Sequence, residues 1–201
     1  MRLVIRLFLF LCLPAILAAC DSQSGDKQSD GAGQVNDDME QMESVEGESG
    51  LSGKLDISQR GSPMLETPFT APDGATVRLS DFAGKPLLVN IWATWCAPCV
   101  VEMPMLDKLA AREKSRLQVL VVSQDLEGPK KVEPFFAKAD FAELEPYTDP
   151  ENGLSFGFGS GLMPTTVLYD ASGKEVWRVI GAMDWDGPRA ATLMEETLSS
   201  K

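Results

Sequence analysis

Six residues, Leu87-Leu88-Val89-Asn90-Ile91-Trp92, read as a strand, and Cys96-Ala97-Pro98-Cys99 follows three residues later. The run is apolar on both faces apart from Asn90. A strand of that kind lies in the middle of a sheet covered on both sides. A helix is expected from about Ala97 to Arg112. The two thiols therefore stand where a buried strand hands over to a helix N-terminus. Thiols at this spacing can close into a disulfide and reopen, which carries two electrons. Half of a zinc site has the same spacing, so the pair alone does not decide its use.

The flanking segments set the layering. Asp73-Gly74 is a turn signal before a short alternating strand, Ala75 to Leu79. Ser80-Asp81-Phe82 with Gly84-Lys85-Pro86 reads as a turn into the central strand. Leu117 to Ser123 is a second buried strand, and a helix follows around Lys130–Ala139, with Pro134 in its middle. Thr165 to Tyr169 and Glu175 to Ile180 are strands joined by the turn Asp170-Ala171-Ser172-Gly173. A last helix spans about Pro188–Leu198. The order is β-α-β-α-β-β-α after an N-terminal hairpin, which is α/β with a parallel part and an antiparallel edge. Residues 61–201 are the expected domain, a normal single-domain size, with no internal repeat.

The first twenty residues have the layout of an export signal. Arg2 and Arg6 precede an apolar run, Leu7 to Leu17, broken at Pro14 and closed by Ala18-Ala19-Cys20. The run is short for a membrane span. Leu17-Ala18-Ala19-Cys20 resembles the lipobox of bacterial lipoproteins. That resemblance implies a signal peptide over 1–19, cleavage before Cys20, and acyl chains on Cys20 that hold it to the lipid bilayer. An ordinary cleaved signal or an uncleaved anchor is the alternative. Each buried CH₂ of an acyl chain contributes about 0.8 kcal/mol to anchoring. Asp21 resembles the signal for retention in the inner membrane. Cys12 would leave with the signal, so of four Cys only Cys96 and Cys99 remain as a pair.

Residues 20–60 are expected to form an acidic disordered linker. From 21 to 60 there are ten acidic residues against Lys27, Lys54 and Arg60, with few large apolar side chains. Such a stretch buries too little surface to offset its ordering entropy. Forty flexible residues reach about 35 Å root-mean-square.

Composition removes whole classes of function. The chain has no His and a formal net charge of -12. The commonest general base and the commonest metal ligand are thus missing. A zinc site on Cys96 and Cys99 lacks convenient further ligands. No basic patch offers a nucleic-acid surface.

The chain resembles the thioredoxin fold, and more narrowly the TlpA/ResA-like thiol-disulfide oxidoreductases of the bacterial envelope. The likeness covers about residues 62–195. It runs through Asp73-Gly74, Leu79-Ser80-Asp81-Phe82, Gly84-Lys85 and Leu88 to Cys99, then Glu102-Met103-Pro104. It resumes at Met163-Pro164-Thr165-Thr166 and Gly181. The implied architecture is a central mixed sheet flanked by helices, with an added N-terminal β-hairpin. Cys96, at the helix N-terminus, is expected to be the nucleophile, because unpaired N–H groups and the helix dipole favour a thiolate there. Cys99, one turn inside, is the expected resolving thiol.

Asn90 departs from thioredoxin, which keeps an Asp six residues before the first Cys. Glu102 resembles the substitute used by the TlpA/ResA-like branch, a carboxylate that raises thiol pKa values and relays a proton; a solvated helix Glu is the alternative. Pro104 should kink the helix. Trp95 is expected to shield the pair and meet a partner, and Trp92 to sit in the core. The resemblance implies a cis Met163-Pro164 bond beside the Cys pair, leaving backbone groups free to bind an extended substrate. Met163 is the side chain expected to touch that substrate, with simple space-filling as the alternative.

The expected function is a periplasmic, membrane-tethered reductant of Cys-containing envelope proteins, with apocytochrome c as the case the family suggests. The Ala97-Pro98 dipeptide lacks the His of strongly oxidising members, which favours reduction over oxidation. No nicotinamide, flavin or other cofactor is implied, so electrons would come from a membrane thiol-disulfide transporter. The alternatives are a thiol oxidase or isomerase, a metal-binding module, and a peroxiredoxin-like peroxidase. That last family places Thr three residues before its reactive Cys, where this chain has Ala93.

Overall fold

In the computed structural model, residues 42–46 and 51–199 are described. The signal peptide, Cys20 and most of the linker lie outside them. The central strand β5, Leu87–Trp92, is buried at all six positions. It pairs in parallel with β6, Gln118–Ser123, from Leu87↔Gln118 to Trp92↔Ser123. On its other side it pairs antiparallel with β8, Thr165–Tyr169, which in turn pairs with β9, Glu175–Ile180. The turn from Asp170 to Gly173 makes that hairpin: Asp170 Oδ1 accepts from the Ser172 and Lys174 N–H groups.

Strand alternation divides the core in two. Leu88 and Trp92 face one cluster, with Met103, Leu106 and Leu109 of α1, Ala97–Glu113. The same face receives Val132 of α2, Pro129–Ala139, and Leu193 of α4, Pro188–Leu198. Leu87, Val89 and Ile91 face the other cluster, with Leu154 and Phe158 of α3, Gly153–Phe158. Neither proline ends its helix. Pro104 lies within α1 at an exposed position, and Pro134 lies within α2.

The N-terminal hairpin is β3, Phe69–Thr70, with β4, Thr76–Val77, around the Asp73-Gly74 turn. It is shorter than the sequence suggests, because the chain passes from Val77 into a 3-10 turn at Leu79–Phe82 that buries Leu79. Two small elements have no clear sequence signal: α3, and β7 at Tyr147–Thr148, which joins β6 to β3.

The boundary at residue 61 needs correction. β1, Met42–Glu46, and β2, Ser52–Asp56, form a hairpin, and β2 pairs with β9 through Lys54↔Ile180, Leu55↔Val179 and Asp56↔Arg178. The folded unit therefore takes in part of the expected linker. Low apolar content did not prevent order there, because the backbone groups of β2 are satisfied by an existing sheet edge. Among the described residues the sheet has nine strands, ordered β1-β2-β9-β8-β5-β6-β7-β3-β4.

Candidate functional site: a dithiol at the N-terminus of α1

β5 ends at Trp92, and the chain turns through Ala93-Thr94-Trp95 into α1. The Cys96 N–H donates to Ala93 O at 3.1 Å, and Cys96 takes the N-cap position with extended backbone. Pro98 occupies the first helical turn, where a missing N–H leaves no bond unmade. Cys96 and Cys99 are joined as a disulfide with Cα atoms 5.3 Å apart, inside the span that disulfides bridge. Both are buried, Cys99 completely. Once the bond opens, the dipole and free N–H groups of the first turn favour a thiolate at Cys96.

The turn before Cys96 is held by a residue that the sequence reading missed. Asp125, just past β6, accepts from Thr94 N at 2.8 Å, Thr94 Oγ1 at 2.7 Å and Ser123 Oγ at 2.8 Å. Gln124 N adds a bond to Trp92 O at 2.8 Å. An acidic residue at the C-terminal end of a buried parallel strand beside the Cys strand is the signal that would have found it.

Glu102 is not solvated. It is fully buried on the β5-facing side of α1, one turn beyond Cys99. Its Oε1 accepts from Asn90 Nδ2 at 2.7 Å, and its Oε2 accepts from Met183 N and Trp185 Nε1, each at 3.1 Å. Burial pushes its pKa up from 4.5 to about 7, against the opposing pull of those donors. The carboxyl thus changes charge near neutrality. Asn90 Nδ2 also donates to Thr166 Oγ1 at 2.9 Å, which links β5, β8 and α1 in one polar cluster. Met183 and Trp185 carried no sequence signal for this role.

The third wall is the segment before β8. The Met163-Pro164 bond is cis, Pro164 is buried, and Met163 is half-buried between the two core clusters. Pro164 O accepts from Gly181 N at 2.9 Å, tying this turn to the end of β9. β5 and β8 pair up to Ile91↔Thr165, so the Met163-Pro164 turn and the Cys turn emerge at the same end of the sheet. Trp92 is fully buried against Phe135 and Phe136, whereas Trp95 is 67% exposed. Phe156 and Leu162 are also exposed, and with Met163 they line a cleft of about 410 Å³.

The redoxin family model matches residues 59–194, from just after β2 to within α4. The chain belongs to the redoxin family. This redoxin is 33% identical over 141 residues to the thiol:disulfide interchange protein HelX of Rhodobacter capsulatus, covering 68% of this chain and 72% of that one. It is 36% identical over 115 residues to the thiol-disulfide oxidoreductase ResA of Oceanobacillus iheyensis, covering 57% of this chain and 59% of that one. Among solved structures, it is similar to a protein of Chlorobium tepidum described as a thiol:disulfide interchange protein DsbE. The TM-score is 0.61 at 26% identity, over 69% of this chain and 97% of that one. This redoxin is therefore a thioredoxin-fold thiol-disulfide oxidoreductase of the TlpA/ResA-like kind, and it carries the Cys96–Cys99 disulfide at the head of α1.

Proposed function

We propose that this redoxin is a lipid-anchored periplasmic reductant of disulfides in envelope proteins, with the thiols of apocytochrome c, kept reduced for haem attachment, as the substrate class the family resemblance suggests. The observation that carries the reading is the Cys96–Cys99 pair at the head of α1 with buried Glu102 one turn behind it. In the reduced protein, the Cys96 thiolate attacks a sulfur of the substrate disulfide and expels one substrate thiolate. Cys99 gives its proton to Glu102 and attacks Cys96 Sγ. The second substrate thiolate leaves, and the Cys96–Cys99 disulfide remains. The substrate gains two electrons and this redoxin loses two. A dithiol on a membrane thiol-disulfide transporter supplies the pair for the next cycle.

The Leu17-Ala18-Ala19-Cys20 sequence supports anchoring through acylated Cys20 on the periplasmic side of the inner membrane. Exposed Trp95 and the Met163-Pro164 turn frame the dithiol as the surface for an extended substrate segment. A Cys99→Ser variant expressed in its own cell should accumulate mixed disulfides through Cys96 with envelope proteins. Alkylation of the parent should find Cys96 and Cys99 mostly reduced in the cell. A mostly oxidised pair would reverse the direction of electron flow and favour an oxidase.

A further inference from the structure

β2 lies before the first residue of the redoxin match, yet it abuts the segment that fastens Glu102. Gly53 is buried, one residue beyond the last β2–β9 pair, Lys54↔Ile180. A Cβ there would stand 2.6 Å from Val179 Cγ1, 3.0 Å from Gly181 O and 3.2 Å from Ala182 O. Gly181, at φ +94°, has no room either: its Cβ would meet Ser52 O at 3.2 Å and Gly53 Cα at 3.4 Å. Two glycines therefore close the strand onto the turn from both sides.

That turn is bound to the site at three further points. Gly181 N holds Pro164 O, Met183 N holds Glu102 Oε2, and Trp185 Nε1 holds the same oxygen. Residues 181–185 thus form one strap from the cis-proline turn to the buried carboxyl, and β2 is the surface behind it.

We propose that Gly53 is a positioning residue for the thiol-disulfide site, seating β2 against Gly181-Ala182 so that Met183 and Trp185 stay bonded to Glu102 and Gly181 stays bonded to Pro164. The proposal rests on the reading of Glu102 as the proton acceptor for Cys99. It gives a role in the reaction to a strand outside the family match. A side chain at position 53 overlaps Val179 Cγ1 and crowds the Gly181 and Ala182 carbonyls, so the strap gives way by a few tenths of an ångström and water gains access to Glu102. Because burial is the largest influence on this carboxyl, opening the pocket lowers its pKa even as the Met183 and Trp185 bonds loosen. The groups around it simplify the reading: the donors from β5 and the strap, Asn90, Met183 and Trp185, are uncharged. The ionisable side chains next along its own helix are Cys99, three residues before it, and Asp107, five after it, and the strap carries Asp184, whose Oδ1 accepts from Asp186 N.

The test measures the rate at which the reduced full chain reduces glutathione disulfide, as a function of pH. Gly53→Ala and Gly53→Val are compared with the parent, with Glu102→Gln and with Lys54→Ala, an exposed neighbour on the same strand. The parent should show a step near the pKa of Glu102 that Glu102→Gln lacks; if the parent has none, the proton-acceptor reading fails first. With that step present, the Gly53 variants should move it down by about half a pH unit or more, Val further than Ala, while Lys54→Ala overlays the parent. Folded Gly53 variants that keep the parent's step overturn the proposal. Should neither variant fold, amide exchange in the parent decides. The Met183 amide should open together with the amides of residues 54–56, and a Met183 amide that outlasts them by about tenfold overturns the proposal.

Discussion

Asn90 Nδ2 donates to Glu102 Oε1 at 2.7 Å, which joins the middle of the central strand to the buried face of α1. The amide cannot ionise, so the carboxyl beside it titrates without a like-charged neighbour. An Asp at position 90 would set two carboxyls against one another, and one of them would be forced neutral. The Asn–Glu pairing leaves a single buried acid.

That acid makes stability depend on pH. Its pKa is about 7 in the folded protein and 4.5 when solvated, so the folded state holds the proton more tightly. The contribution is fully present below pH 4.5, and it is lost as pH rises through about 7. The loss over that window is about 3 kcal/mol. Glu102→Gln should flatten this part of the profile. Urea unfolding of both oxidised proteins at intervals between pH 4 and 8 measures the difference, and parallel curves would contradict it.

Asp125→Ala leaves Thr94 N, Thr94 Oγ1 and Ser123 Oγ without their acceptor. A lost hydrogen bond to a charged acceptor costs about 1.5–3 kcal/mol, and the effects within one network are not additive. We expect destabilisation of about 2–4 kcal/mol and slower thiol exchange at Cys96, because the turn that presents it loses its brace. Thermal unfolding and the rate of glutathione disulfide reduction check the two parts separately.

Arg178 and Glu175 form a buried pair at 2.6 and 2.7 Å, and Arg178 Nη1 also donates to Phe158 O at 2.7 Å. Arg178→Met leaves a buried carboxylate unpaired, at a cost of about 3–5 kcal/mol. The double variant Arg178→Met with Glu175→Leu should recover much of that loss. Chemical denaturation of the parent, Arg178→Met, Glu175→Leu and the double variant gives the coupling directly.

Trp95→Ala removes an exposed ring with little packing, so unfolding free energy should change by no more than about 0.5 kcal/mol. Reduction of glutathione disulfide should be nearly unaffected. Exchange with a disulfide in a folded or extended protein should slow severalfold, since an aromatic contact beside the dithiol is lost. Equal slowing for both substrates would place Trp95 in the chemistry rather than in partner contact.

Strong local signals explain why much of this was legible. β8 and β9, joined by the Asp170–Gly173 turn, and α4 fall on the residues expected. The dithiol and the Met163-Pro164 turn were marked by motif. Other parts depend on distant residues. β2 reads Ser-Gly-Lys-Leu-Asp, with one large apolar side chain, and gains its order from pairing with β9. Asp125 gains its role only when the fold brings Thr94 to it. The burial of Glu102 needs Trp185 and Met183, more than eighty residues further along the chain, to close over it.

One bond in that closure makes the molecule self-reporting. The indole N–H of Trp185 rests on Glu102 Oε2, and the ring is wholly buried. A charge that appears or vanishes at that oxygen shifts the electronic levels of the indole beside it. The ultraviolet emission of Trp185 should therefore follow the protonation of Glu102, an optical trace of that carboxyl without a label.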